Sequence, residues 1–177
     1  MNVVSVDVGT KFVAYAVWDG TALMEYGKAH AHGSGDAGIG SLAEAIVDIF
    51  YHKYHVYRLV YESAFLGTNV NVTKQLSKAI GSTIAAFYIE GVREFASVPP
   101  ITWQTGIGVG KSTYKEKERL RLKYPDKSVS WLRNKDRENR KQKVIDLVNA
   151  KYGLQLVMDD NDVADAIAIG WYFLEIK

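Results

Sequence analysis

The sequence predicts an α/β fold whose sheet combines an antiparallel edge with parallel strands. Residues 2–8 are rich in valine and alternate weakly, and residues 12–18 form a second apolar run, so both indicate strands. Asp19-Gly20 is typical of a hairpin turn, and residues 21–30 predict a third strand. Hairpin-linked strands at the start of a chain, followed by strands with crossover helices, favour this fold class.

Later segments supply helices and a further strand. Residues 41–44 (Ser-Leu-Ala-Glu) have the form of a capping box, in which a hydroxyl and a carboxylate each satisfy a free backbone amide. They predict a helix that continues to about residue 52. Residues 56–61 predict a strand that delivers Glu62 at its end, and residues 72–92 predict a long helix with an apolar face.

The C-terminal half contains one extended segment and three predicted helices. Residues 96–103 include two prolines and predict a short edge strand or extended segment, because proline cannot donate to a sheet. A capping box at residues 113–116 begins a helix that must end before Pro125. Residues 135–152 predict a charged helix, and the last helix begins near residue 160 or 161.

The bulk composition indicates an intracellular globular protein. The length predicts one domain over residues 1–177, and 47% hydrophobic residues suffice for a substantial core. The absence of cysteine excludes disulfides and thiolate metal sites. No apolar run reaches the roughly 18 residues of a membrane span. Asp7 interrupts the apolar stretch that a signal peptide would need, so we expect no membrane association.

A net charge of +2 hides a strong asymmetry along the chain. Residues 111–143 hold 13 Lys or Arg against 5 Asp or Glu, whereas the other residues hold 9 basic and 15 acidic groups. Such a basic block suits a polyanionic partner. The alternative is a solvated helix face with paired charges, as the alternation of Lys115, Lys117 and Arg119 with glutamates would give.

Four carboxylates lie where strands end or a helix begins. Asp7 lies in the first strand, Glu62 ends a later strand, and Asp162 and Asp165 share one face of the last helix. Strand ends are where sites form in an α/β sheet. Taken singly, these acids could be a turn residue, a solvated strand end and helix caps. Taken together, they predict a cluster, in which residues 159–160 offer alternatives to Asp162.

A cluster of acids is stable mainly when cations fill it. Mg²⁺ is a hard ion that prefers carboxylate oxygen. Two such ions about 3.5–4 Å apart activate water and neutralise both moving oxygens in phosphodiester hydrolysis. Asp7, Glu62, Asp162 and Asp165 are therefore the predicted ligands of two Mg²⁺ ions, for which Mn²⁺ can substitute.

Four motifs of this chain occur together in one known family. Residues 3–10 (VVSVDVGT) and 60–65 (VYESAF) resemble its two acid-bearing strands, and residues 162–169 (DVADAIAI) resemble its C-terminal helix with the last two acids. Residues 104–110 (QTGIGVG) match the loop ahead of a basic segment. Over most of its length the chain thus resembles the RuvC-type Holliday junction resolvases. This resemblance implies an RNase H-like fold, a mixed five-stranded sheet flanked by helices on both faces.

The resemblance also implies an activity and partners. It implies a Mg²⁺-dependent homodimer that resolves four-way DNA junctions by paired symmetric nicks, leaving 5′-phosphate and 3′-hydroxyl ends. The helix of residues 72–92 would contribute to the dimer interface, and Phe65 stands where family members place an aromatic at the junction core. No nucleotide cofactor is implied, and the setting is the cytoplasm of a bacterial or phage-infected cell.

The basic segment departs from the bacterial pattern of this family. It is longer and more basic, like an insertion over about residues 111–150, and Trp103 replaces a family lysine. A longer basic segment favours a phage-encoded member with a broader choice of branched DNA. The predicted DNA contacts are Phe65, Lys111, Lys115, Trp131, Arg133, Lys135, Arg137, Arg140 and Lys141.

Other functions stay open at this stage. One is a debranching nuclease that also cuts forks and flaps, and another is a non-catalytic module that binds junctions. The presence of all four acids argues against the second. Residues 105–112 (TGIGVGKS) are close to a phosphate-binding P-loop, but Thr105 stands where the first glycine belongs.

Overall fold

A computed structural model describes residues 2–51, 53–64 and 69–177 and contains a mixed five-stranded sheet. Its strands are β1 (Asn2–Val8), β2 (Phe12–Asp19), β3 (Ala22–His30), β4 (Val56–Glu62) and β5 (Glu94–Val98). They lie in the order β3-β2-β1-β4-β5. Strand β2 is antiparallel to both β1 and β3, whereas β1, β4 and β5 are parallel. The predicted α/β class, with an antiparallel edge, is confirmed.

Helices cover both faces of this sheet, as predicted. Those of the described ranges are α1 (Gly35–Tyr51), α2 (Val70–Ile89), α3 (Pro100–Gly106), α4 (Tyr114–Lys123), α5 (Val129–Tyr152) and α6 (Asn161–Trp171). A 3-10 turn at Met158–Asp160 leads into α6, and a π-helical turn at Tyr172–Ile176 follows it. Among these helices, none is both long and apolar enough to cross a bilayer.

Alternation along β1 divides the core between the two faces of the sheet. The even-numbered valines of β1 pack with side chains of α1 and α2. Val3 packs with side chains of α5 and α6, and Ser5 bonds to α6. Because successive side chains of a strand point to opposite faces, Asp7 belongs to the α6 face. The acid of β1 therefore points toward the helix that carries the acid pair.

Helix α6 packs on β1 and β2 through a glycine and a buried polar contact. A Cβ added at Gly170 would lie 2.3 Å from Trp18 Nε1 and 2.5 Å from Ser5 Oγ, so only glycine allows this approach. Trp18 Nε1 donates to Ser5 Oγ (2.8 Å), and Ser5 Oγ donates to the carbonyl oxygen of Ala166 (2.7 Å). Leaving such a buried group unsatisfied costs about 1–3 kcal/mol. These contacts fix the position of α6 and, with it, the acid pair.

The predicted start of the first helix is wrong. Helix α1 begins at Gly35, and Ser41 lies inside it. The Ser41 hydroxyl accepts from the backbone N–H of His32 (2.8 Å) and donates to the carbonyl oxygen of Gly38 (2.8 Å), so it does not cap the helix. Residues 35–40 are helical despite their three glycines, because Ile39 among them is buried against the sheet.

The prediction of an extended segment over residues 96–103 is correct for its first residues and wrong for the rest. Strand β5 ends at Val98, and Pro100 begins α3, so Trp103 lies on a helix. Proline is tolerated at the first helical position because its missing N–H would have no helical partner there. A helix rather than a strand thus precedes residues 105–112, and the strand–loop–helix arrangement of a P-loop is not formed.

The basic segment forms two helices, α4 and α5, that pack on each other. The predicted capping box of α4 is confirmed. The Thr113 hydroxyl accepts from the N–H of Glu116 (3.3 Å), whose carboxylate accepts from the N–H of Thr113 (2.7 Å). Helix α5 begins at Val129, earlier than predicted, because the Ser128 hydroxyl caps it by accepting from a backbone N–H of its first turn (3.2 Å).

We predict that Gly170→Ala lowers the free energy of unfolding by about 1–3 kcal/mol, because neither Trp18 nor Ser5 can shift without breaking buried packing. Gly81→Ala is the matched control. Gly81 is an exposed glycine of α2 whose added Cβ would meet no atom within 4 Å, so alanine should gain up to about 1 kcal/mol there. Urea denaturation of both variants compares the two. Equal effects would contradict the tight packing of α6.

Candidate active site

The four predicted acids meet in one cleft at the carboxyl ends of β1 and β4. Asp7 lies near the end of β1 and Glu62 is the last residue of β4, its parallel neighbour, so both leave the same edge of the sheet. Asp162 and Asp165 come from the first turns of α6. The cleft measures about 260 Å³, and its other walls are formed by Gln104, Val109, Arg137, Arg140, Lys141 and Val144.

Burial and mutual repulsion disfavour the charged forms of the central acids. Burial raises the pKa of Asp7 well above its usual range, and the charges of Asp165, Glu62 and Asp162 raise it further. Burial and the charge of Glu62 raise the pKa of Asp165 to about 7. The Lys141 ammonium lowers both pKa values but does not restore the ordinary ones. Without a bound cation, Asp7 and Asp165 are therefore harder to ionise than ordinary carboxyl groups.

Glu62 is held in place by a buried indole. Trp103 Nε1 donates to Glu62 Oε2 at 2.7 Å, and the Trp103 side chain is fully buried. Burial raises the pKa of Glu62, and this hydrogen bond lowers it in part. A tryptophan therefore gives the carboxylate a rigid donor where the family resemblance leads one to expect a lysine. The donor adds no positive charge to the cleft.

A lysine that was not predicted contacts the acid pair. Lys28 Nζ lies 2.7 Å from Asp162 Oδ2, and the two side chains are only 18% and 19% exposed. In the sheet, Asp7 pairs with Ala14 and Ala14 pairs with Lys28, so these residues share one row and one face. Lys28 therefore reaches α6 from β3. The information that would have identified it is the cross-strand register, which strand assignments alone do not contain.

The chemistry of this cleft fits a hard divalent cation. Within the described ranges, no three Asp, Glu or His side chains converge closely enough to ligate one ion, and Asp162 is paired with Lys28. Four carboxylates nevertheless line the cleft, and its described walls include no imidazole or sulfur ligand. Burial and, after it, the charges of neighbouring acids raise the pKa values of Asp7 and Asp165, and a divalent cation would favour their ionised forms. The residues present therefore fit Mg²⁺ or Mn²⁺.

Three of the predicted DNA contacts, Arg137, Arg140 and Lys141, line the cleft from α5. Lys141 donates to the side-chain oxygen of Asn161, next to the acid pair. Arg140 Nε lies 3.8 Å from Asp136 Oδ2, and Arg140 also lines the two neighbouring grooves between α4 and α5. The cationic surface therefore continues from the cleft into these grooves.

Four other predicted contacts lie on α4, on α5 or in the loop between α3 and α4, outside the cleft. Lys111 in that loop and Lys115 in the first turn of α4 are exposed. Arg133 lines the larger groove between α4 and α5. Lys135 pairs with Glu138 at 2.9 Å on the surface of α5. None of these four cations lines the cleft.

None of the remaining predicted site residues is placed in the cleft by the described structure. Trp131 packs edge to face on Tyr124, with ring centroids 4.9 Å apart, so it joins α5 to the end of α4. Phe65 lies outside the described residues. Neither of the two alternative acids, residues 159–160, lines the cleft. The Asp160 carboxylate accepts from the backbone N–H of Val157 at 3.0 Å instead.

Comparisons with known proteins bear on the fold. No protein-family model matches the chain, and no curated protein matches it. Thermus thermophilus RuvC in complex with a Holliday junction substrate superposes with a TM-score of 0.65 at 15% identity, covering 98% of this chain and 94% of that chain. Another T. thermophilus RuvC structure gives 0.64 at 15% identity, covering 98% and 95%. The chain is thus similar to RuvC in structure, and the predicted RNase H-like fold is confirmed.

We predict that the metal-free protein loses stability as the pH rises from about 4 toward 7. An acid whose pKa is raised by folding binds more protons when folded, so the stability is highest below its unfolded pKa. Asp165, with an ordinary pKa of 3.8 and a folded pKa of about 7, defines this window, and Asp7 adds to it. Thermal unfolding in EDTA should therefore show a falling midpoint over this range.

The variant Asp165→Asn provides the control for this prediction. It removes one titrating group and one source of repulsion on Asp7, so its unfolding midpoint should depend less on pH and exceed the wild-type value at pH 8. An unchanged pH profile in Asp165→Asn would contradict the electrostatic description of the cleft.

Proposed function

We propose that this chain is a single-domain, divalent-metal-dependent endonuclease for branched DNA, foremost four-way junctions, in a bacterial or phage-infected cell. The observation that supports this proposal most strongly is that one cleft is lined by four acids, Asp7, Glu62, Asp162 and Asp165. Cations of α5 form a further wall of the same cleft. The similarity to RuvC, one structure of which holds a Holliday junction, supports the choice of substrate. An acidic centre beside basic walls suits a polyanion whose backbone is cut.

The four acids would hold two Mg²⁺ or Mn²⁺ ions. Bound metal would supply an activated water and would neutralise charge on the leaving 3′ oxygen, giving 5′-phosphate and 3′-hydroxyl ends. The protein's own part is to orient the ligands. Ser5 and Gly170 set the position of α6 and hence of its acid pair, while Trp103 fixes the Glu62 carboxylate by a 2.7 Å hydrogen bond.

Helix α5 would bind the DNA backbone on both sides of the cut. Arg137, Arg140 and Lys141 line the cleft, and Arg140 continues into the grooves beside α4. The larger groove is also lined by Arg133 and other cations of α4 and α5. Phosphate contacts of this kind position the duplex without reading its sequence.

Resolution by paired nicks would require a two-fold homodimer, so that two active sites face strands of like polarity. Helix α2 buries one face against the sheet but leaves Val72 (57%), Tyr88 (56%) and Ile89 (78%) exposed. Tyr88 and Ile89 are adjacent at the C-terminal end of α2, where a second copy would cover both. We place the dimer interface along α2 on this basis.

A second candidate is a debranching nuclease that cuts forks and flaps as readily as junctions. The observation that favours it is the basic α4–α5 pair, whose grooves extend the cationic surface beyond the cleft. Such a surface can hold duplex arms in more than one geometry, since backbone contacts are not specific for sequence.

We predict that the wild-type protein nicks a labelled synthetic four-way junction symmetrically with Mg²⁺ and not in EDTA. Asp165→Asn should still bind the junction but cut it at least about a hundredfold more slowly, because it loses one ligand oxygen. A linear duplex and a Y-fork run as parallel substrates. Equal cutting of fork and junction would favour the debranching nuclease. Tight junction binding without cleavage under any metal would contradict the nuclease and leave a binding module.

We predict that Lys141→Gln, made in the Asp165→Asn background, weakens junction binding and lowers the slope of log K against log salt by about one. Lys151→Gln is the matched control. Lys151 lies on the same helix but pairs with Glu175 (2.6 Å), away from the cleft, and should leave the slope unchanged. Fluorescence anisotropy across a salt series measures both. Equal slopes in the two variants would place the DNA elsewhere.

A further inference from the structure

We infer that Lys28 is a positioning residue of this cleft. It acts as an internal counter-ion that holds Asp162 in the metal-free protein and competes with a divalent cation for that carboxylate. The inference rests on the proposed function, because it assumes that Asp162 ligates metal. It goes beyond that function by naming the residue that sets how readily the cleft takes up its ions.

The Lys28 ammonium is fixed by three partners. It donates to Asp162 Oδ2 at 2.7 Å and lies 3.5 Å from the carbonyl oxygen of Asp159. It also lies 4.8 Å from the centroid of the Phe12 ring, within the range of a cation–π contact. Because the Lys28 and Asp162 side chains are each less than one-fifth exposed, this pair is shielded from water more than an ordinary surface ion pair.

The position of Lys28 is a property of the sheet. Lys28 stands two strands away from Asp7 in the same cross-strand row, with only Ala14 between them. Ala14 is small and fully buried, so the lysine side chain can pass over it to α6. Lys28 therefore approaches the acids from the sheet, whereas Arg137 and Lys141 approach them from α5.

Among the described residues that line the cleft, no cation forms a salt bridge with one of the four acids as Lys28 does. Lys141 donates to Asn161, and Arg140 lies beside Asp136. In the described structure, Lys28 is thus the cation that forms a salt bridge with one of the four acids.

Competition follows from the acceptor geometry. The Asp162 oxygen that accepts the ammonium at 2.7 Å binds a cation at about 2.0–2.1 Å less favourably, because the two positive charges repel at close range. A cation that binds Asp162 through this oxygen competes with the ammonium, so its apparent affinity is reduced by the fraction of molecules in which Lys28 is paired. Removing the ammonium should therefore tighten metal binding and destabilise the metal-free protein, which is left with an unpaired acid.

The test is titration calorimetry of the DNA-free protein with MnCl₂, together with thermal unfolding in EDTA. Lys28→Met keeps the aliphatic length and removes the charge. We expect Mn²⁺ to bind Lys28→Met about fivefold more tightly than wild type, the change that corresponds to a partly exposed ion pair. In EDTA, the unfolding midpoint of Lys28→Met should be lower than that of wild type, and it should recover when Mn²⁺ is added. Lys28→Arg, which keeps the charge, should bind Mn²⁺ as wild type does.

Lys78→Met is the matched control, since Lys78 pairs with Asp36 at the same 2.7 Å but far from the cleft, and it should leave Mn²⁺ affinity unchanged. Lys28→Gln is a second neutral variant. Unchanged or weaker Mn²⁺ binding by both neutral variants would overturn the inference, as would their failure to fold with Mn²⁺ present. If wild type itself bound no Mn²⁺, the proposed nuclease function would fail first, so the two failures are distinguishable.

Discussion

The close approach of α6 to the sheet is the constraint on which this site depends. Gly170 leaves no room for a side chain, and Ser5 joins the indole of Trp18 to the backbone of α6 at Ala166. A helix held at this distance must bring its first turns to the end of β1, where Asp7 lies. The packing of α6 therefore also sets the positions of Asp162 and Asp165, and a loss of this packing would misalign the proposed metal ligands.

The same approach forces carboxylates together in a partly buried cleft. Burial and the neighbouring carboxylates raise the pKa values of Asp7 and Asp165, so keeping these acids ionised in the cleft costs stability. The protein relieves the cost from three sides, through the Lys28 ion pair, the indole of Trp103 and the cations of α5. A divalent cation would complete this neutralisation, and its uptake would then be coupled to folding stability.

Much of this arrangement could be predicted from the sequence because the indications are local. The alternation of valines, the acids at strand ends and the acid pair on the last helix each lie within a few residues. The role of Lys28 could not be predicted in this way, because a β-bulge near the β2–β3 turn determines on which face of the sheet its side chain lies. Without that bulge, Ala14 would oppose Gly27 and Lys28 would point to the other face. The prediction that residues up to Trp103 are extended is wrong because Pro100 can begin a helix as readily as it ends a strand.

The central claim is that four carboxylates from β1, β4 and α6 form one divalent-cation site. Anomalous diffraction from crystals of the protein soaked in MnCl₂ tests this claim most directly. The account predicts anomalous peaks in the cleft between Asp7, Glu62, Asp162 and Asp165, with the Lys28 ammonium moved away from Asp162. Peaks that lie only elsewhere on the surface, with the Lys28–Asp162 pair intact at saturating Mn²⁺, would contradict it.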